Sequence, residues 1–369
     1  MRILHIINNL GSGGAERLIA DLLPRLNSYD EIECELLLLT DEKNVFDKEL
    51  IKNGIKVNVL QRRKIYNPLN AIDIAKFVNK GNYDILHVHL FPSQYWVALA
   101  KPLFRNKSIK LVTTEHSSHN RRREKSYFKH IDKYIYRKYD KIISISEKTQ
   151  ENLMNWLKVK EKCRDKFIVI HNGIDMDKFS NALPYKKEEI VSKFNEETKV
   201  ITMVARFSEA KDQPTLIRAM KKLNSDIHLV LVGEGPLLEE CKKLTNDLGI
   251  SERVHFLGYR EDVARIMKTS DIIVLSSNWE GFGLSAAEGM ASGKPVIASN
   301  VDGLREIVRD VGLLFDTGDE KELNRLIKEL LDRQEYYVNV SGECIKKAQM
   351  YDIENMIKKI LCIYNSLFS

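Results

Sequence analysis

Glu280 and Glu288 stand eight positions apart in DIIVLSSNWEGFGLSAAEGMASGKPVIASNVDG, residues 271–303, a stretch otherwise dominated by apolar and small side chains. A carboxylate withdrawn from water needs partners that offset its lost hydration, and sugar hydroxyls would serve. Two cations, Arg206 and Lys211, lie in VARFSEAKDQPT just after another apolar run, a placement suited to holding an anion. His116 lies one residue beyond the apolar run 110–114, after Glu115, where an imidazole can orient a ligand or carry a proton near neutral pH. Glycines at 11, 13 and 14, at 233 and 235, and at 281 and 283 add backbone that a ligand can approach closely.

These groups need strands and helices to hold them. Residues 272–275 read as a buried strand, and the Glu280-Gly281-Phe282-Gly283 turn follows it. A small-residue helix runs from Leu284 to about Ala291, Gly293-Lys294-Pro295 stops it, and 295–299 is the next strand. The backbone N–H groups at Gly283, Leu284 and Ser285 then point toward an anion. Further apolar runs at 2–8, 35–40, 56–60, 84–90, 110–114, 141–146 and 167–171 are separated by helix-length segments. After a polar break the pattern restarts at 199–205, 227–232 and 254–257, and it continues to 312–315. Such alternation predicts an α/β protein of two Rossmann-like, doubly wound domains, with parallel sheets covered on both faces and ligands outside the carboxyl ends of the strands. The boundaries expected are 1–179 for the first domain, 180–350 for the second, and 351–369 for a terminal helix with Ile353, Met356, Ile357, Ile360, Leu361 and Tyr364 at helical spacing.

A length of 369 residues exceeds one ordinary core, and 43% apolar with 30% charged residues is a globular composition. No apolar run approaches the roughly 20 residues that span a bilayer, and the N-terminal run is a strand pattern rather than a signal peptide, so a cytoplasmic protein is expected. Five scattered cysteines, Cys34, Cys163, Cys241, Cys344 and Cys362, read as reduced and structural. Residues 1–180 carry 32 Lys and Arg against 22 Asp and Glu, while the remainder is net −4. Most of the excess falls in 101–141, with 13 basic and 4 acidic residues, which suggests that the first half meets something anionic.

E-x7-E, followed by Gly-Lys-Pro-Val-Ile-Ala-Ser and then Gly-Leu-Arg-Glu-Ile, resembles the signature of the retaining glycosyltransferases of family 4, which have the GT-B fold of two domains facing a cleft. The resemblance covers nearly the whole chain and is sharpest from Arg206 to Glu306. It implies that Glu280 faces the transferred sugar and Glu288 binds the ribose hydroxyls. Arg206 and Lys211 match the family's R-x(4–5)-K pair and are implied to hold the two phosphates. His116 matches the histidine that meets the donor sugar near the anomeric centre. Gly13 and Gly14, in a Gly-Gly-Ala-Glu-Arg run resembling that of members that build bacterial surface glycans, are implied to close over the donor diphosphate. Loops at Gly233–Pro236 and Phe256–Arg260 resemble the base-binding loops, with main chain near Gly258, Tyr259 and Arg260 reading the nucleobase. Uracil is the family's commonest base, so UDP is favoured over GDP.

Transfer from such a donor requires stabilising the departing diphosphate, either with a divalent metal on an Asp-x-Asp or with cations and helix N-termini. Arg206, Lys211 and the Gly283 helix start favour the second, so no metal and no cofactor are expected. Asp175-Met-Asp177 sits where the family has its interdomain connection and reads as a decoy. The pocket formed by Glu280, Gly281 and Phe282 would separate hexose from N-acetylhexosamine. The expected acceptor is a glycan or polyprenyl-linked glycan in bacterial polysaccharide synthesis. Nucleic acid is not expected as a partner, and basic residues of 101–141, centred on Arg121–Tyr134, are expected to give reversible contact with an anionic membrane face. Alternatives are a nucleotide-sugar epimerase or phosphorylase of the same fold, a carbohydrate-binding scaffold, or an NAD-dependent oxidoreductase using Gly11–Gly14 and Asp41. The last lacks a third fingerprint glycine, since Glu16 stands there.

Overall fold

The computed structural model describes residues 1–60, 64–118 and 121–368, and the Arg121 side chain is not among what it describes. The chain forms two compact units, one of Met1–Gly173 with Ile353–Ser369 and the other of Ile174–Asp352.

The first unit is built on a seven-stranded parallel sheet: β1 Arg2–Ile7, β2 Glu33–Leu38, β3 Lys56–Val59, β4 Ile85–His89, β5 Lys110–Glu115, β6 Lys141–Ser144 and β7 Phe167–Val169. Their order is β3-β2-β1-β4-β5-β6-β7, so the chain reverses its direction of travel across the sheet between β1 and β4. Successive residues of a strand face opposite ways, and both faces are buried, which is why β1 reads as one apolar run. Ile3 and Ile7 join Leu18, Leu22, Leu36 and Val112 on one side, whereas Leu4 and Ile6 join Leu37, Leu86, Val88 and Leu111 on the other. The helix Ile353–Ser366 completes the first of these cores with Ile353, Met356, Ile357, Ile360, Ile363 and Tyr364. Each such aliphatic side chain contributes about 1.5–3 kcal/mol by leaving water.

The second unit holds a six-stranded parallel sheet: β8 Lys199–Val204, β9 Ile227–Val232, β10 Val254–Phe256, β11 Ile272–Leu275, β12 Val296–Ser299 and β13 Leu313–Phe315, in the order β10-β9-β8-β11-β12-β13. Here the reversal falls between β8 and β11. The helix Leu284–Ala291 lies close on this sheet: a Cβ added at Gly289 would come within 2.9 Å of Ile273 Cγ1, so small residues are a packing requirement there.

The break between units falls at 173/174 and 352/353 rather than at 179/180 and 350/351. The short helix Met176–Ser180 belongs with the second unit, because Phe179 is buried and Ile174 pairs as a bridge with Asp352. Asp175 caps that helix, its carboxylate accepting the Lys178 N–H at 3.0 Å. All five cysteines are free. Cys34, Cys241 and Cys344 are buried as expected of structural thiols, but Cys163 and Cys362 are exposed.

Candidate active site

In the second unit the expected residues gather at the reversal between β8 and β11, where a doubly wound sheet opens a crevice. Arg206 leaves the end of β8 with its side chain exposed, while Phe207 beside it is buried. The loop then turns back so that the Lys211 ammonium pairs with the Glu280 carboxylate, both side chains largely shielded from water. Glu280 also accepts the Gly281 N–H through Oε1 at 3.0 Å. Backbone and side-chain bonds stitch the β8 and β11 loops together: Asn278 N–H to Ala210 O at 2.8 Å, Asn278 Nδ2 to Glu209 O at 2.7 Å, and Ser276 Oγ to Asp212 O at 2.7 Å. Asp212 caps the next helix through Thr215. The cation and the acid are therefore held by the same two loops.

Gly283 adopts a φ of +98° at the start of Leu284–Ala291, a conformation that L side chains rarely take, and a Cβ there would meet Leu304 Cδ2 at 2.6 Å. That turn leaves the first N–H groups of the helix, at Leu284 and Ser285, without partners inside the helix. Phe282 is buried edge-on against Tyr351, with centroids 5.4 Å apart, and so anchors the loop. Glu288 is half-buried one turn further on.

At the end of β9, Gly233 at φ +134° packs so tightly that an added Cβ would lie 2.2 Å from Ala205 O, and its N–H donates to Gly258 O at 2.8 Å. Gly258 also has positive φ, and Tyr259 is exposed. The Arg260 guanidinium turns to Asp262, donating at 2.7 Å, and Tyr185 donates to the same carboxylate at 2.6 Å. The hydrogen bond from Arg260 holds the Asp262 carboxyl down to about 2. Sequence reading named Arg260 but not this clamp, whose members are separated by 77 residues.

In the first unit Gly13 is the extended N-cap of helix Gly14–Leu26, and the Glu16 carboxylate folds back to within 2.2 Å of where a Gly13 Cβ would stand. His116 follows β5. Its Nε2 meets His89 Nδ1 at 3.0 Å, while its Nδ1 is buried with no hydrogen-bond partner among the described residues. Burial pushes its pKa down to about 4, so the ring is neutral. Behind it lie His5, His87 and His89, which sequence reading missed. The spacing of His87 and His89, two apart on β4 and so on one face, was in the sequence, whereas the pairing of His5 with His87 across β1 and β4 came only with the sheet order.

The basic cluster expected at Arg121–Tyr134 is not a solvated run of charge. Arg122 is buried, its guanidinium 4.0 Å from the Phe91 ring centre and 3.9 Å from Asp132, and Arg123 approaches Glu115 at 3.4 Å. His119 and Asn120 lie outside the described residues, as does the Arg121 side chain. Helix Phe128–Arg137 nevertheless leaves Tyr127, Ile131 and Tyr134 exposed on one side, with Lys125 and Arg137 exposed beside them. Among the described residues no helix is long and apolar enough to cross a membrane.

Two doubly wound parallel-sheet units with this crevice define the GT-B class of fold. The structure of Anabaena Alr3699/HepE in complex with UDP and glucose superposes with a TM-score of 0.87 at 22% identity, covering 99% of this chain and 100% of that one. The model of glycosyl transferases group 1 matches residues 185–348, and that of glycosyltransferase family 4 matches 12–178. The chain is similar to the Campylobacter jejuni N-acetylgalactosamine-N,N'-diacetylbacillosaminyl-diphospho-undecaprenol 4-alpha-N-acetylgalactosaminyltransferase, at 27% identity over 94% of each. It is also similar to the Escherichia coli UDP-Gal:alpha-D-GlcNAc-diphosphoundecaprenol alpha-1,3-galactosyltransferase, at 28% identity over 80% of this chain and 78% of that one. The chain belongs to the group 1 glycosyltransferases of family 4.

Proposed function

We propose that this glycosyltransferase moves a hexose or N-acetylhexosamine, with retention of configuration, from a nucleotide diphosphate sugar to a glycan or polyprenyl-linked acceptor in bacterial polysaccharide synthesis. The observation that carries the reading is the Lys211–Glu280 pair at the β8/β11 reversal, beside the open helix start at Gly283. On donor binding Lys211 exchanges its partner for the diphosphate, joined by Arg206 and the N–H groups near Leu284 and Ser285. Glu280, released, accepts hydroxyls of the transferred sugar. Three positive elements at one place supply the charge that stabilises the leaving group, so transfer proceeds without a metal. Glu288 takes the ribose, and the Gly233 and Gly258 turns with Tyr259 and Arg260 line the base; the family resemblance assigns Gly13, Gly14 and His116 to the donor as well.

UDP is favoured because the HepE structure was determined with UDP and glucose. A lipid-linked acceptor is favoured because the names of the Campylobacter jejuni and Escherichia coli relatives each carry a diphospho-undecaprenol. An acceptor of that kind is met at a membrane face, and Tyr127, Ile131 and Tyr134 with their basic flanks suit an anionic leaflet.

The test incubates the protein with UDP- and GDP-sugars and measures nucleotide release with and without EDTA. Release from one sugar that persists in EDTA is expected. Glu280→Ala should abolish release while nucleotide still binds, and Glu288→Ala should weaken nucleotide binding itself. Loss of activity in EDTA with recovery on manganese would overturn the metal-free reading.

A further inference from the structure

His5, His87, His89 and Tyr364 lie behind His116 in one buried chain of hydrogen bonds. His116 Nε2 meets His89 Nδ1 at 3.0 Å, and His89 Nε2 meets His5 Nδ1 at 3.1 Å. His5 Nε2 meets the Tyr364 hydroxyl at 3.5 Å, the loosest link. The same hydroxyl meets His87 Nδ1 at 2.6 Å, and His87 Nε2 meets Thr114 Oγ1 at 2.8 Å. His5, His87, His89 and Tyr364 are each at most 2% exposed. Burial holds all four imidazoles in the neutral form, with His5 down to about 3 and His116 down to about 4.

A neutral imidazole has one N–H and one lone pair, so fixing a single proton in such a chain fixes the rest. A phenol is a better donor than acceptor, and the 2.6 Å contact is where Tyr364 donates, to His87 Nδ1. His87 therefore carries its proton on Nε2 and gives it to Thr114. The Tyr364 oxygen is left to accept from His5 Nε2–H. His5 Nδ1 then accepts from His89 Nε2–H, and His89 Nδ1 accepts from His116 Nε2–H. What remains is a lone pair on His116 Nδ1, the one ring nitrogen of this network with no hydrogen-bond partner among the described residues.

We infer that His5, His87, His89 and Tyr364 are positioning residues that hold His116 in its Nε2–H tautomer, which leaves Nδ1 as a hydrogen-bond acceptor for a sugar hydroxyl of the donor. The ligand part of this inference rests on the reading that His116 meets the donor sugar, whereas the tautomer part does not. Ligand atoms of His5, His87 and His89 also lie within 4.8 Å of one another, as in a metal site. The hydrogen bonds oppose that use, because both nitrogens of His87 are taken by hydroxyls and the His5 and His89 nitrogens point at each other.

The experiment is long-range proton–nitrogen NMR on the full chain labelled with 15N-histidine, at neutral pH and without ligand. Wild-type protein should show His5, His87, His89 and His116 all neutral and all Nε2–H. Tyr364→Phe should give His116 a measurable Nδ1–H population. His89→Asn, which keeps a polar group near His116 but cuts the link to His5, should do so as well. A His116 that is Nδ1–H in the wild type overturns the inference. So does a His116 that keeps one tautomer in both variants, or stoichiometric zinc retained by the purified protein and lost in His5→Ala. None of these readouts depends on sugar transfer, so failure of the proposed reaction leaves a distinct signature.

Discussion

Lys211 and Glu280 hold each other before any ligand arrives, and this decides what their substitution costs. A charge-assisted contact to a phosphate contributes about 1.5–3 kcal/mol, so Lys211→Ala should lower the turnover number by roughly 10- to 150-fold. Because each residue also restrains the other, the two substitutions should not add. In nucleotide affinity, which Glu280→Ala leaves measurable, the Lys211→Ala/Glu280→Ala double variant should lose less than the product of the single losses, and strict additivity in that cycle would show that the pair acts independently. At this scale the placement of Arg206, Lys211 and Glu280 in the loops beyond β8 and β11 was legible from the apolar runs before them. The ion pair was not, because 69 residues separate its members and only the neighbouring of β8 and β11 brings their loops together. The histidine chain was hidden for the same reason, since β1 and β4 become neighbours only when the sheet order is known.

Helix Phe128–Arg137 shows how an element redistributes charge that looks uniform along the chain. Asp132 on its buried side draws Arg122 inward and accepts the Trp156 indole N–H at 2.8 Å, and Glu115 at the end of β5 draws in Arg123. A count of basic residues cannot weigh such buried carboxylates. What faces outward is an apolar stripe of Tyr127, Ile131 and Tyr134 with Lys125 and Arg137 at its edges. Aromatic insertion and basic attraction should act together at an anionic surface, each basic residue adding about 1 kcal/mol. Replacing the three apolar residues by alanine should weaken sedimentation with phosphatidylglycerol vesicles by at least about tenfold, and binding should fall with salt. Equal binding of wild type to neutral phosphatidylcholine vesicles would remove the membrane reading. The turns at Gly233 and Gly283 were legible as turns, but not the reason for glycine: an approaching carbonyl at one and Leu304 at the other.

For the molecule as a whole, four neutral histidines in the first unit make its stability a function of pH. Their folded pKa values lie below the ordinary 6.5, His116 at about 4 and His5 at about 3. The unfolded chain takes up protons that the folded one refuses, so stability is retained above about pH 6.5 and lost as pH falls from there toward about 4. Each histidine contributes about 1.4 kcal/mol per pH unit in that window. Urea unfolding followed at pH 7, 6 and 5 should show a falling midpoint, and a midpoint that stays level would mean that these rings titrate normally.

The doubly wound plan was legible because strands buried on both faces must be continuously apolar. The break at 173/174 was not, since it depends on where Phe179 and Ile174 find their neighbours. One consequence follows from the return of Ile353–Ser366 to the core begun by Ile3 and Ile7. During synthesis the first half emerges without the side chains that seal one face of its sheet, and it stays open while the contiguous second unit emerges and closes. That face waits for a helix made after the whole of the second unit, and until the helix leaves the ribosome the apolar face is a surface for chaperones to guard.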